Sequence, residues 1–239
     1  MRRFFLGLLL YVLAACSTSP DPAVQPTQQI IRVAFPSSLR PLAESLRDCS
    51  LDFSAIALFL EEWPASHLDS LDHDIILWAG EPPDTATFAF LIEQSEILVV
   101  IHPDNPESDL TDSAIRNLFS GQIQSWDEAE GNDEQVAVWI YPPENDIQRL
   151  FSEAFMGGDE YSPFALIAPD SEAMMEAISA DPGAIGLLPG IWDSGSLKTV
   201  DLKSPIRLPI LALTAGEPGG ETRELLACLQ DPAELRDPP

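Results

Sequence analysis

The 239 residues carry 12 Lys+Arg against 39 Asp+Glu, a formal charge of −27, and at about 150 residues per domain they make one large domain or two small ones. With 45% hydrophobic residues the chain can bury a core and is not globally disordered. The charge excludes nucleic acid, whose backbone is held by Lys and Arg that displace counterions, and polybasic attachment to an anionic membrane.

In chain order, Met1-Arg2-Arg3 is a short basic start and Phe4 to Ala15 an apolar run, too short for a membrane span and suited to a signal-peptide core. The ending Leu13-Ala14-Ala15-Cys16 resembles a bacterial lipoprotein signal. That resemblance implies a signal peptide over residues 1–15 and Cys16 as the lipid attachment site; an ordinary cleaved signal containing a cysteine is the other reading. Cleavage leaves 10 basic against 39 acidic residues, or −29 on 224 residues. Residues 16–29, rich in Ser, Thr, Pro and Gln, read as a disordered tether. No later stretch is long and apolar enough to span a bilayer. The expectation is an extracytoplasmic bacterial protein, held at the cell membrane by its lipid anchor alone.

The body opens with a strand, Ile30 to Phe35. A helix from Leu39 to Cys49 follows, with Leu39, Leu42, Leu46 and Cys49 on one face and Ser38 as its N-cap. A second apolar helix is expected near Ser54 to Trp63. Short apolar strands follow at Ile75–Trp78 and Ile97–Ile101. Thr111 to Phe119 reads as a helix with a Thr cap and Gly121 as its stop. Val136–Tyr141 is a strand, and Asn145–Met156 a helix with Ile147, Leu150, Phe151 and Phe155 inward. Ser171–Ser179 is a helix with Met174, Met175 and Ile178 inward. Asp181-Pro182-Gly183 turns into the strand Ala184–Leu188, and Leu208–Leu213 and Glu221–Gln230 are the last strand and helix. The alternation predicts an α/β fold with mostly parallel sheets. Cys49 and Cys228 both lie on inward helix faces, either as one disulfide or as two buried thiols.

Two ordered motifs carry a resemblance. His102-Pro103, Leu110-Thr111, Phe119-Ser120-Gly121-Gln122-Ile123 and Trp126 are followed by Asp181-Pro182-Gly183-Ala184-Ile185-Gly186. In this order they resemble the phosphate-binding-protein (PstS-type) family of ABC-transporter substrate-binding proteins. The likeness spans residues 30 to 231 and is strongest from Ile97 to Leu188. It implies a two-lobed type II periplasmic-binding-protein fold with two crossing hinge strands. One lobe takes residues 30–98 plus 189–239 and the other 99–188. The first and last helices then share a lobe, which makes a Cys49–Cys228 disulfide reasonable. The implied function is capture of a small-molecule solute and its delivery to an ABC-transporter permease, by a monomer.

By the same resemblance, the ligand-binding positions fall at Ser37 and Ser38, at Trp78, and at Glu144, Asn145 and Asp146. Ser37 and Ser38 are ligand donors or a helix cap. Trp78 lines the cleft or packs. Glu144 and Asp146 reach a ligand or favour the helix N-terminus through its dipole. The family's arginine falls on Gln148, or on Arg149 after a one-residue slip. Its glycines are absent here, two carboxylates flank the anion position, and no Lys or Arg occurs between Arg47 and Arg116. These departures argue against phosphate and toward a neutral or cationic solute stacked on Trp78, Trp139 or Tyr141. The alternative is a receptor-like module without a ligand, serving protein interaction or sensing at the cell surface. No catalytic motif, metal-ligand spacing or cofactor fingerprint is present, so neither an enzyme, a metal nor a cofactor is expected.

Overall fold

The computed structural model describes residues 28–70, 72–107, 109–129, 131 and 133–230. The expected signal peptide, the Cys16 attachment site and the tether up to residue 27 lie outside the described residues, as does the tail from residue 231.

The first elements are β1 (Gln29–Phe35), a 3-10 turn Ser37–Leu39, α1 (Arg40–Ser50), β2 (Ile56–Glu62), a 3-10 segment Ala65–Ser70, β3 (Ile75–Ala79) and β4 (Phe88–Ile101). Next come α2 (Asp112–Ser120), β5 (Ala137–Ile140), α3 (Asp146–Phe151) continuing as a π-helical turn Ser152–Met156, and β6 (Leu166–Ile167). The chain ends with α4 (Ser171–Ala180), β7 (Ala184–Pro189), β8 (Lys198–Val200), β9 (Ile206–Thr214) and α5 (Gly220–Gln230). The strands form one curled path, β2-β1-β3-β9-β4-β7-β5-β6, with β8 also on β4.

β4 is the strand that joins the two halves. Nine of its first ten residues pair antiparallel with β9, from Phe88↔Thr214 to Ile97↔Ile206, with a register shift between Leu91 and Glu93. Its end pairs with β7, from Ile97↔Pro189 to Ile101↔Ile185. One half therefore holds β1–β3, β9, α1 and α5. The other holds β5–β7 and α2–α4. This is the two-lobed α/β architecture that the resemblance implied. The sheet is mixed rather than mostly parallel: β1–β2, β1–β3, β5–β6 and β5–β7 are parallel, while every pairing of β4 and β9 is antiparallel. The reason is that β4 and β9 cross between the halves in opposite directions.

The stretch from Ser54 to Trp63, expected as a helix, is β2. A short apolar run such as Ile56-Ala57-Leu58-Phe59-Leu60 has no decisive period, and here it finds a partner in β1 along all seven residues, Gln29↔Ile56 to Phe35↔Glu62. As the outer strand it leaves Phe59 exposed. The expected stop of α2 is present: Gly121 adopts φ 75° and its amide donates to the Leu118 carbonyl at 3.0 Å, a left-handed turn that glycine takes without a Cβ penalty.

The core is continuous through both halves. Leu42, Ala43, Leu46 and Cys49 of α1 face Leu225, Leu226, Cys228 and Leu229 of α5 and the strands beneath. Cys49 and Cys228 are joined as a disulfide, with their Cα atoms 6.0 Å apart. In the other half, all six residues of β7 are buried. Gly186 lets α4 approach β7, since a Cβ there would meet Met174 Sδ at 2.5 Å. Met174 and Ile178 are fully buried, whereas Met175, expected inward, is only half-buried. Burial of each such Leu, Ile or Met contributes about 1.5–3 kcal/mol.

Candidate functional site

The strand ends that meet where β1 and β3 face the start of α3 build a cleft. From the first half come Pro36 after β1, Trp78 and Ala79 at the end of β3 with Glu81 beyond, and Ala65, Ser66, Leu68 and Asp69 of the 3-10 segment. From the second half come Pro143, Glu144, Asp146 and Arg149. They enclose a cavity of about 460 Å³. A smaller adjoining one, about 240 Å³, is lined by Ser37, Glu62, Trp63, Glu144, Asn145 and Asp146 among others. The residues singled out in the sequence thus converge: Ser37, Trp78, Glu144, Asn145 and Asp146 line this space, and Ser38 lies against Asp146.

Several roles differ from those expected. Ser38 does not cap α1; Leu39 holds the N-cap position without a side-chain bond, because a 3-10 turn precedes the helix. The Ser38 hydroxyl instead crosses to the other half and donates to Asp146 Oδ2 at 2.6 Å, with both residues buried. Asn145 caps α3, its Oδ1 accepting from the amides of Ile147 at 2.9 Å and Gln148 at 3.3 Å. Asp146 Oδ1 also accepts from the Ile147 amide. Glu144 is exposed at the cleft rim. The Trp78 indole donates to the Glu81 carbonyl at 2.8 Å, which turns part of its half-exposed ring toward the cavity. Tyr141 is not a stacking surface: it is fully buried, its hydroxyl donating to the Leu187 carbonyl at 2.8 Å. Trp139 is not among the residues lining the cleft.

Arg149, not Gln148, reaches the cavity. Gln148 is buried and its Oε1 accepts from the Tyr141 amide at 2.8 Å. The Arg149 guanidinium donates to both oxygens of Glu153 at 3.1 Å, so its charge is already shared. Sequence reasoning missed Ser66, Asp69 and Glu81, which sit on non-periodic segments and carry no motif.

The electrostatics follow from this inventory. Four carboxylates, Asp69, Glu81, Glu144 and Asp146, line the cavity against one guanidinium. Burial pushes the Asp146 carboxyl above the ordinary carboxylate range, and the Ser38 hydroxyl, the Ile147 amide and Arg149 pull it partly back. A second bridge between the halves lies nearby. Arg40 of α1 donates to both oxygens of Glu62 at 3.0 and 3.1 Å, to Asp170 at 3.3 Å and to Glu172 at 3.3 Å. Among the described residues there is no cluster of His, Cys, Asp and Glu able to hold a metal, and no helix long and apolar enough to cross a membrane.

A sequence-family profile, the PBP superfamily domain, matches residues 84–214, the stretch from β4 to β9. The chain belongs to the periplasmic-binding-protein superfamily. Over 89 residues the chain is 30% identical to phosphate-binding protein PstS of Bacillus subtilis, covering 37% of this chain and 29% of that relative's length. Solved structures share the fold. One, described as a phosphate ABC transporter substrate-binding protein with bound phosphate from Clostridium perfringens, superposes with a TM-score of 0.73 at 15% identity, covering 83% of this chain and 92% of that one. An ABC-type phosphate transport receptor from Vibrio cholerae gives 0.62 at 19% identity, over 86% and 96%. The CcmR regulatory domain of Synechocystis, in complex with 2-PG, gives 0.63 at 15% identity, over 85% and 96%. At these identities the likeness to solved structures is one of fold.

Proposed function

We propose that this superfamily member is the solute-binding component of a phosphate-type ABC importer, extracytoplasmic and lipid-anchored through Cys16. Its lobes are residues 30–98 with 189–239, and 99–188, hinged on β4 and β9. It works as a monomer, takes a small solute between Trp78 and the opening of α3, and hands it to a membrane permease. The observation that carries this reading is the cavity of about 460 Å³ between the two halves, walled by Trp78 on one side and Glu144, Asp146 and Arg149 on the other. A cavity of this size between domains, with an aromatic wall and a few polar groups, suits a small ligand.

The test is thermal shift with a solute panel: phosphate, sulfate, polyols, amino acids, and mono- and polyamines. A ligand at a hundred times its Kd stabilises by about 2.7 kcal/mol, several degrees in a protein of this size. A second reading, a ligand-free module for protein interaction or sensing, is favoured by the Ser38–Asp146 bond, which bridges the cleft with the chain's own atoms. Absence of a shift with every member of the panel would favour this second reading.

A further inference from the structure

A cleft between two lobes closes when something in it is bonded from both sides. Here that bonding exists within the chain. The Asp146 carboxylate projects from the first turn of α3 and accepts the Ser38 hydroxyl of the facing half at 2.6 Å through one oxygen. Through the other it accepts the Ile147 amide at 3.0 Å. Asn145 takes the amides of Ile147 and Gln148, and the Arg149 amide is bonded to the Asn145 carbonyl. Three of the amides that this helix N-terminus would offer an anion, those of Ile147, Gln148 and Arg149, are therefore occupied by this chain's own oxygens. Asp146 is 4% exposed and Ser38 is fully buried. The Ser38 carbonyl in turn accepts the Trp192 indole at 2.7 Å, which holds the hydroxyl-bearing residue in place.

We propose that Asp146 is the cleft's built-in anion and its specificity determinant: its carboxylate takes the cross-lobe hydroxyl and helix amide that would hold a free oxyanion, and so excludes phosphate and sulfate. The proposal rests on the reading of this cleft as the solute site. The charge inventory supports it independently. A dianion entering the cavity would meet Asp69, Glu81 and Glu144 as well as Asp146, and among the described residues lining it the one cation is Arg149, paired with Glu153. Like charges a few ångströms apart repel strongly in a partly desolvated space.

The experiment is calorimetric titration of inorganic phosphate and of sulfate, at pH 7.5, into the wild type, Asp146→Ser and Asp146→Asn. Asp146→Ser clears the seat and leaves a hydroxyl. Asp146→Asn keeps the shape, removes the charge and leaves one acceptor oxygen in place of two, so it frees one of the two donors that the carboxylate holds; it serves if the serine variant does not fold. The expected result is no heat from either oxyanion at 10-fold millimolar excess in the wild type, and affinity for phosphate at least tenfold higher in a folded variant. Wild-type binding of phosphate at micromolar concentration overturns the proposal, as does failure of both variants to gain affinity. These outcomes are separable from the functional reading. A wild-type thermal shift with a non-anionic solute upholds the solute-site reading whatever the variants do. Absence of any wild-type shift together with a phosphate-binding variant upholds the role of Asp146 while favouring the ligand-free module.

Discussion

Removing the Cys49–Cys228 bond gives a stability change that can be worked from the structure. The bond joins α1 to α5 and closes a loop with a sequence separation of 179, which takes in β2 through β9. Nearly the whole described chain is thus constrained in the unfolded state. In the chain-entropy account a loop of this length is worth about 5 kcal/mol. At about 2–4 °C per kcal/mol for a protein of this size, the double variant Cys49→Ala/Cys228→Ala should melt about 10–20 °C below the wild type. Both cysteines are about 95% buried among leucines of α1 and α5, so the alanine pair also loses some packing. Wild-type protein reduced with a phosphine keeps both sulfurs and isolates the cross-link itself. Melts followed by circular dichroism, with free-thiol titration to verify the redox state, make the comparison. Because the effect acts on the unfolded chain, the cleft geometry should be unchanged. A reduced protein that melts within about 2 °C of the oxidised one, a difference of about 1 kcal/mol or less, would refute the reasoning.

Ser38→Ala removes a buried bond to a carboxylate and should cost about 1.5–3 kcal/mol near neutral pH, measured by urea unfolding. The cost should shrink in acid, where Asp146 is neutral and its need for the hydroxyl is smaller. Asp146→Asn should show the complementary behaviour. Burial raises the folded carboxyl above its unfolded value, so the folded state binds the proton more tightly. The wild type therefore loses stability as pH rises from the ordinary carboxylate range through the folded value. Asn, uncharged, does not, so the stability gap in favour of the variant should widen with pH and vanish in acid. The groups that oppose this rise are the Ser38 hydroxyl, the Ile147 amide and Arg149, while Asp69, Glu81 and Glu144 line the same cavity. Gly183→Ala should destabilise by about 1–3 kcal/mol or more, read from the urea midpoint, because its added Cβ would collide with the Gln135 carbonyl.

What the residues alone determined was mostly local. Helical periodicity placed α1, α2, α4 and α5 near their observed bounds, since an apolar stripe with a cap and a stop is a short-range signal. The motif from His102 to Trp126, followed by Asp181 to Gly186, identified the family and with it the two-lobed chain path. It did not say why those residues are needed. Gly183 reads as a turn residue in the sequence, and the structure adds that its carbonyl accepts from the Ala137 amide and the Trp126 indole while its missing Cβ makes room for Gln135. Tertiary structure decided three other things. β2 is a strand because β1 offers it seven residues of hydrogen bonding, which outweighs an apolar run of ambiguous period. Arg149 rather than Gln148 reaches the cavity because Gln148 is drawn inward by the Tyr141 amide. Ser38 serves the cleft instead of α1 because its hydroxyl lies 2.6 Å from a carboxylate 108 residues away in sequence. A helix cap is a contact between neighbours in the chain and can be read there. A bond across the cleft exists only once both lobes are folded around β4 and β9.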